Sequence, residues 1–451
     1  MTTRFVLSLS ALLVFIAPAL ADWPQFLGPQ RDGISRENVK LIRSFGEGQP
    51  KELWSVDVGV GFGAPAIQDG RVYFLDRRGE THDVMRCFDL SSGKQLWETP
   101  YEAPGKFDHP GSRTTPAVDG KYVFSVGPLG ELYCFDKTDG KALWHKNIVE
   151  EFQGERPRWA VAQSPTLYKD WVIVAPCGKA AGVVAFEKAT GKAAWKSEPI
   201  GTLGYGSPMV SKIDGVDQVV MVAVKKPDKK AESATTATAP ATSQAGQGQQ
   251  RGRRERDNTK CNIAGVDAAT GKLLWSYDGW GCNNPIPSPT AIGDGRFFIT
   301  AGYGAGSVMF RVGRDGDKWQ AKELFKTDKL SGQIHNVLFY EGYLYANGND
   351  NSRKDGLMCL DLDGNVKWQT GETKFDKGGL LIADGLLIVL DGNDGTLHLI
   401  DPSSHGFKEL SQAKVLEAKG KQVWAPLVIT DGKLLVRDKQ QLKCLDMKAQ
   451  Q

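Results

Sequence analysis

The stretch Asp267-Ala268-Ala269-Thr270-Gly271-Lys272-Leu273-Leu274-Trp275 decides the fold, because its acid, glycine and tryptophan recur along the chain at unchanged spacing. Three further copies are Asp89-Gly93-Trp97, Asp136-Gly140-Trp144 and Glu187-Gly191-Trp195, and in all four the glycine is followed by lysine (Lys94, Lys141, Lys192, Lys272). Asp361-Gly364-Trp368 is a copy one residue shorter. Recurrence at about 40–50 residues marks an internal repeat, so the fold is read from the unit rather than from the whole chain.

Each position in the unit has a physical task. The apolar run before the acid (Met85 to Phe88, Leu132 to Phe135) is made of strand formers, the residue pair ending in glycine supplies positive φ for a hairpin, and Leu-Trp begins the returning strand. Upstream of each hairpin stands a small residue followed by proline: Ala64-Pro65, Thr115-Pro116, Ser164-Pro165, Ser207-Pro208, Ser288-Pro289 and Ala425-Pro426. Proline is tolerated where a strand starts because no ladder donor is needed there, and Asp69-Gly70, Asp119-Gly120, Asp294-Gly295 and Asp431-Gly432 turn the chain into a second strand. The unit therefore holds four antiparallel strands, the pattern of a propeller blade.

The acid that closes the third strand falls at Asp89, Asp136, Glu187, Asp267, Asp361, Asp401 and Asp446. The long gap between Asp267 and Asp361 accommodates one more unit, with Phe310-Arg311-Val312 as its third strand and Lys322 to Phe325 as its fourth, which predicts eight blades. The last unit stops after Cys444-Leu445-Asp446, whereas Lys51 to Ser55 is a fourth strand with no preceding three. The two fragments are expected to form one blade, closing an all-β eight-bladed propeller by pairing the N- and C-terminal strands.

With these residues in view, the chain resembles the PQQ-like β-propellers, whose repeat carries Ala-x-Asp-x-x-Thr-Gly-x-x-x-Trp, over about residues 50–447. The resemblance implies that Trp54, Trp97, Trp144, Trp195, Trp275 and Trp368 dock neighbouring blades. Two branches share the repeat: quinone-dependent dehydrogenases, and non-enzymatic periplasmic scaffolds such as the outer-membrane assembly factor BamB. The segment Trp23-Pro24-Gln25-Phe26-Leu27-Gly28-Pro29 through Gly33 looks like the amino arm of secreted members. Such a repeat speaks for the fold and not for the chemistry.

Residues 1–21 combine Arg4, an apolar core from Phe5 to Pro18 and Ala19-Leu20-Ala21, the pattern of a cleaved secretory signal. An arm at 22–49 and a propeller at 50–451 would follow. The apolar run is shorter than the roughly 18 residues that span a bilayer. The formal charge is +3. Residues 225–260 concentrate nine Lys/Arg against four Asp/Glu and carry almost no apolar side chains, so they read as a disordered basic insertion between the second and third strands of blade 4. Without that segment and the signal, the chain is about −3 by formal count, which excludes a polyanion-binding propeller body.

Seven cysteines in an exported chain suggest disulfides. The repeat argues otherwise for four of them: Cys87, Cys134, Cys359 and Cys444 each stand two residues before the acid, on separate blades, and are expected to be buried free thiols. The pairing of Cys177, Cys261 and Cys282 is left open by the sequence.

The loops that enter each blade gather on one face with the second-to-third-strand loops. On that face Phe62, His109, Arg113, Arg158, Trp159, Tyr205, Asn283, Asn284, His335, Asn336 and Trp424 precede or open the first strands, and aromatics beside arginine suit partner contact. For a dehydrogenase, the resemblance implies a vicinal Cys-Cys pair, a calcium-binding Glu/Asn/Asp set and a catalytic aspartate. No two cysteines are adjacent, Asn347 to Asn351 and Asp391 to Asp394 fall where blade turns are due, and no GxSxG, HExxH or Walker pattern occurs. The reading is a monomeric, exported, periplasmic or secreted scaffold with no catalytic residue, no cofactor and no metal. It binds a protein partner of the cell envelope, touches membranes only peripherally and recognises no specific nucleic acid. The alternatives are a dehydrogenase using PQQ with calcium at an atypical site, or a propeller that binds a glycan or small ligand.

Overall fold

The computed structural model describes residues 22–225, 260–371, 375–418 and 422–450. The predicted signal at 1–21 and the body of the basic insertion lie outside the described residues. Eight sheets form the blades of an all-β propeller; the first six hold their strands in sequence order, the seventh adds a strand of the arm and the eighth takes its outermost strand from near the start of the chain. The first is built from Ala66–Gln68, Arg71–Arg78, His82–Asp89 and Gln95–Glu102. The gap between Asp267 and Asp361 holds blade 5, whose outer strands are Gly306–Asp315 and Lys318–Thr327. In blade 8 the strand Lys51–Asp57 pairs antiparallel with Gln441–Asp446, placing Trp54 opposite Cys444 and joining the two ends of the chain.

Two devices hold the blades together, and both explain the repeat. The first is at the rim. The glycine of each unit has φ near +70° (Gly93, Gly140, Gly191, Gly271) and lies flat under the tryptophan of the preceding blade. A Cβ there would fall 2.4–2.8 Å from the indoles of Trp54, Trp97, Trp144 and Trp195 respectively, so glycine is required twice over, by conformation and by contact. The indole nitrogens of Trp54, Trp97, Trp144 and Trp368 donate to backbone carbonyls of the next blade, at Leu90, Lys137, Lys188 and Ser403. Three tryptophans depart from the pattern, and in one of them, Trp195, the buried indole nitrogen has no hydrogen-bond partner. Trp144 is half-buried where the others are buried, and Trp275 donates within its own blade, to Gln218 Oε1 at 2.7 Å, because blade 5 offers no motif glycine. Across the ladder each tryptophan faces a small residue, Cys87, Cys134, Ala185, Gly265, Cys359 or Cys444, which leaves room for the ring. That is the reason for the four repeated cysteines, all buried thiols.

The second device encircles the axis, where first strands of successive blades meet. The amide of Thr115 donates to Ser164 Oγ, that of Ser164 to Ser207 Oγ, that of Ser207 to Ser288 Oγ and that of Ser288 to Asn336 Oδ1, over 2.8–3.2 Å. The serines before Pro165, Pro208 and Pro289 are thus blade-to-blade hydrogen-bond acceptors.

The hairpin itself differs from a two-residue turn. The acid's side chain accepts turn amides, as Asp267 Oδ1 does from Ala269 and Thr270, and the ladder shifts register at the glycine-to-tryptophan step. By contrast Asp69-Gly70, Asp294-Gly295 and Asp431-Gly432 have positive φ at both positions, the geometry of tight two-residue hairpins.

The arm crosses the face that carries these tight turns. Trp23 bridges to Ile67 of blade 1, Pro24 O accepts from Val118 of blade 2, and Gln25 Oε1 accepts from Leu167 of blade 3. The buried Arg31 guanidinium donates to Pro208 O of blade 4, and Ile34–Ser35 adds a parallel strand beside Leu380–Ala383 of blade 7. Glu37 Oε2 then accepts from Asp431 N of blade 8. The arm is the floor of the propeller.

Candidate functional site

At the opposite end of the axis, the eight lead-in loops each deliver one side chain to a common mouth: Phe62, His109, Trp159, Tyr205, Ile286, His335, Lys377 and Trp424, in blade order. They enclose a cavity of about 570 Å³, with Arg113, Gln333, Tyr303, Asn351, Asp376 and Asn393 in its walls and Phe26 of the arm reaching it from below. The lead-in segments converge because each precedes an innermost strand, so the mouth follows from ring closure.

The apolar part is a continuous aromatic arch. Phe62 stacks on Trp424 with centroids 5.5 Å apart, His109 stands edge-on to Trp159 at 5.9 Å, and Trp159 stacks on Tyr205 at 5.3 Å and on Tyr303 at 6.3 Å. Cations sit on its faces: the Lys377 ammonium lies 5.8 Å from the Trp424 centroid and that of Lys439 5.6 Å from Phe62. Arg113 is held by the carbonyls of Gly111 and His109. Burial lowers its pKa to about 10, which still leaves it a cation at neutral pH. His335 Nε2 donates to Lys377 O, 3.2 Å away, and burial pushes its pKa down to about 4, so its ring is neutral at physiological pH. Burial also lowers the pKa of His109, with the charge of Arg113 adding to the effect.

Two polar atoms of the walls, Gln333 Oε1 and the indole nitrogen of Trp424, have no hydrogen-bond partner. Gln333 is 5% exposed, and its amide nitrogen is already given to Tyr303 OH at 3.0 Å. Both atoms are themselves buried, on residues that line the cavity.

Seven of the residues singled out from sequence line the mouth: Phe62, His109, Arg113, Trp159, Tyr205, His335 and Trp424. Four lie away from it. Arg158 is exposed and pairs with Asp108 at 3.1 Å; Asn283 is exposed and Asn284 half-buried in the segment before Pro285. Asn336 is the blade 6 counterpart of Ser288, whose amide and carbonyl it binds. Ile286 and Lys377 stand as far ahead of their first strands as Trp424 and His335 do, and that offset is the sequence signal that would have found them.

The hydroxyls of Ser207 and Ser288 are engaged in the axial ring. Among the described residues no group of three His, Cys, Asp or Glu side chains is placed to hold a metal ion. The oxygens nearest to such a set, Asn351 Oδ1 and Asp376 Oδ1, already face the Lys377 ammonium at 3.2 and 3.5 Å. The one thiol pair, Cys261 and Cys282, lies in the core of blades 4 and 5 rather than in the mouth.

Three overlapping segments, 80–228, 221–407 and 259–449, match the family model described as outer membrane protein assembly factor BamB. A stretch of 129 residues is 28% identical to the outer membrane protein assembly factor BamB of Burkholderia pseudomallei (strain K96243), covering 27% of this chain and 30% of that protein. Another of 179 residues is 28% identical to the dehydrogenase subunit of alcohol dehydrogenase (quinone) from Komagataeibacter europaeus, covering 37% of this chain and 22% of that protein. The matches thus span less than a third of either relative. Among solved structures, BamB from Moraxella catarrhalis superposes with a TM-score of 0.57 at 12% identity, over 90% of this chain and 99% of that one. Quinohemoprotein alcohol dehydrogenase from Comamonas testosteroni does so with 0.63 at 14% identity, over 95% and 81%. At such identities the likeness is one of fold.

Proposed function

Because the chain belongs to the PQQ-like repeat family whose model is described as outer membrane protein assembly factor BamB, we propose that it is a non-catalytic scaffold of the cell envelope that holds a segment of a partner protein in its axial mouth. The observation that carries this reading is the aromatic arch of Phe62, Trp424, Trp159, Tyr205 and Tyr303 around the cavity, with the Lys377 ammonium against Trp424. An extended peptide lays an apolar side chain on such an arch. Arg113, Lys377 and Lys439 around the mouth favour a segment that also carries a carboxylate.

The likeness to the dehydrogenase subunit supports a second reading, a quinone-dependent dehydrogenase. The position of the Lys377 ammonium speaks against it, because the oxygens a calcium ion needs are already turned to that charge.

Photo-crosslinking side chains at positions 159 and 424, in cells that export the protein, test the proposal. Both are expected to trap the same envelope protein, and position 121, on the floor face, is expected to trap none. The purified protein with PQQ and Ca²⁺ is expected to leave the quinone absorbance unchanged. A red-shifted band with dye reduction by alcohols would replace the scaffold reading with the dehydrogenase one.

A further inference from the structure

Cys261 and Cys282 differ from the cysteines that face docking tryptophans. Cys261 is the second residue of the third strand of blade 4, Lys260–Asp267, and Cys282 lies in the segment that leaves the fourth strand, Leu273–Tyr277. Their sulfurs are 3.6 Å apart. The amide of Cys282 donates to Cys261 Sγ at 3.3 Å, and the amide of Cys261 to Trp280 O at 3.2 Å, so the backbone fixes the approach. Both residues are buried, among Trp275, Trp280 and Ile263.

We propose that Cys261 and Cys282 form a disulfide, a clasp that fixes the wall of the mouth to the root of blade 4. Reaching bond length from the present separation takes a shift of about 1.5 Å, within the range of side-chain rotation and small backbone adjustment. The backbone geometry also assigns the roles: the amide of Cys282 donates to Cys261 Sγ and favours negative charge there, which makes Cys261 the attacking thiolate and Cys282 the resolving thiol. Cys261 attacks one sulfur of an external disulfide and expels a thiolate. Cys282, losing its proton, then attacks the Cys261 sulfur and expels the second. The two thiols give up two protons and two electrons, and the external disulfide becomes two thiols. Burial means that the exchange takes place during folding or on opening of the segment around Trp280.

The clasp reaches the mouth through a short run of chain. Pro285 O accepts from the amides of Tyr205 and Gly206 at 2.9 and 3.1 Å, Ile286 lines the cavity, and Ser288 Oγ closes a link of the axial ring. Anchoring Cys282 therefore steadies the wall that carries Tyr205. The pair would also close a loop of about 20 residues, which is stabilising through the unfolded chain.

The purified full chain, equilibrated in glutathione buffers from reducing to oxidising, then acid-quenched, alkylated under denaturing conditions and digested without reduction, provides the test. Tryptic peptides 261–272 and 273–296 are expected to appear joined, with the other five thiols alkylated. The oxidised form is expected to unfold several degrees above the reduced one, a difference that Cys261→Ser and Cys282→Ser each abolish. Full alkylation of both thiols at the most oxidising poise, or redox-dependent melting that survives in Cys261→Ser, overturns the proposal. Neither outcome depends on what the mouth binds.

Discussion

The two ends of the propeller axis are built from the same eight first strands, yet the chain treats them oppositely. At the floor, residues 22–41 lie across the ring and touch blades 1, 2, 3, 4, 7 and 8 through bridges and hydrogen bonds to Ile67, Val118, Leu167, Pro208, Ile382 and Asp431. At the mouth, eight lead-in side chains ring an open cavity, several of them packed into an aromatic arch. A closed ring of blades has two openings by construction. Here the protein stops one with its own chain and keeps the other for an occupant. Stability should therefore reside at the floor and the closing joint, and recognition at the mouth.

The strongest challenge to that division is deletion of residues 50–58, which removes the strand Lys51–Asp57 and leaves Gln441–Asp446 as a bare edge. The loss is expected to exceed any single substitution, with aggregation at the exposed edge, and thermal unfolding with light scattering measures it. A truncated protein that melts like the parent would undo the closure. Next comes Trp23→Ala. Trp23 is 2% exposed and packs against Gly28, so the change should cost about 3–5 kcal/mol in chemical denaturation while leaving partner capture intact in the folded fraction.

The rim between blades 1 and 2 sharpens the contrast through pH. Burial raises the pKa of Asp83 to about 6 and that of Glu131 to about 7, although Arg77 lies 2.8 Å from Asp83. A carboxyl with a raised folded pKa holds more protons folded than unfolded. The stability it contributes is thus complete below about pH 4 and is lost as pH rises through 6 to 7. Glu131→Gln, neutral at every pH, should flatten that decline and recover roughly 1–2 kcal/mol at pH 8. Parallel denaturation profiles for variant and parent would show that Glu131 does not titrate across this range. The smallest stability change belongs to the mouth. Trp424→Phe preserves the face on Phe62 but deletes the unpartnered N–H, so it should stay within about 0.5 kcal/mol of the parent while crosslinking from position 159 falls sharply. Unchanged crosslinking would separate Trp424 from recognition.

What the sequence disclosed follows the same line. Whatever the fold needs in every blade is written several times: the glycine under the tryptophan, the small residue opposite it and the serine before the proline. Position alone therefore revealed eight blades and their closure. The mouth is needed once, so Phe62, Lys377 and Trp424 stand three or four residues ahead of their strands but share no residue type. Asn336 looked like a mouth residue because it shares that region, yet it spends its amide on the axial ring in the place of a serine. Trp275 shows the repeat outliving its purpose: the residue is kept although blade 5 has no glycine to receive it, and the indole turns to Gln218 instead. The path of the arm, and Phe26 beneath the cavity, depend on contacts between segments far apart in sequence that no local pattern encodes.

The pairing of Lys51–Asp57 with Gln441–Asp446 also sets an order of events. Synthesis delivers the strand Lys51–Asp57 before seven blades and its partner after them, so the early strand must wait through the making of those blades with its apolar side chains unsatisfied. Bringing such distant ends together adds little to the equilibrium cost, since closure entropy grows only with the logarithm of length, but it makes the last step the slowest to find. Once made, the joint leaves no terminal blade from which the ring could fray, as an open repeat array does from its ends. Resistance to proteolysis should then appear abruptly with the final strand, and a nascent chain lacking residues 441–446 would be the form that needs a chaperone.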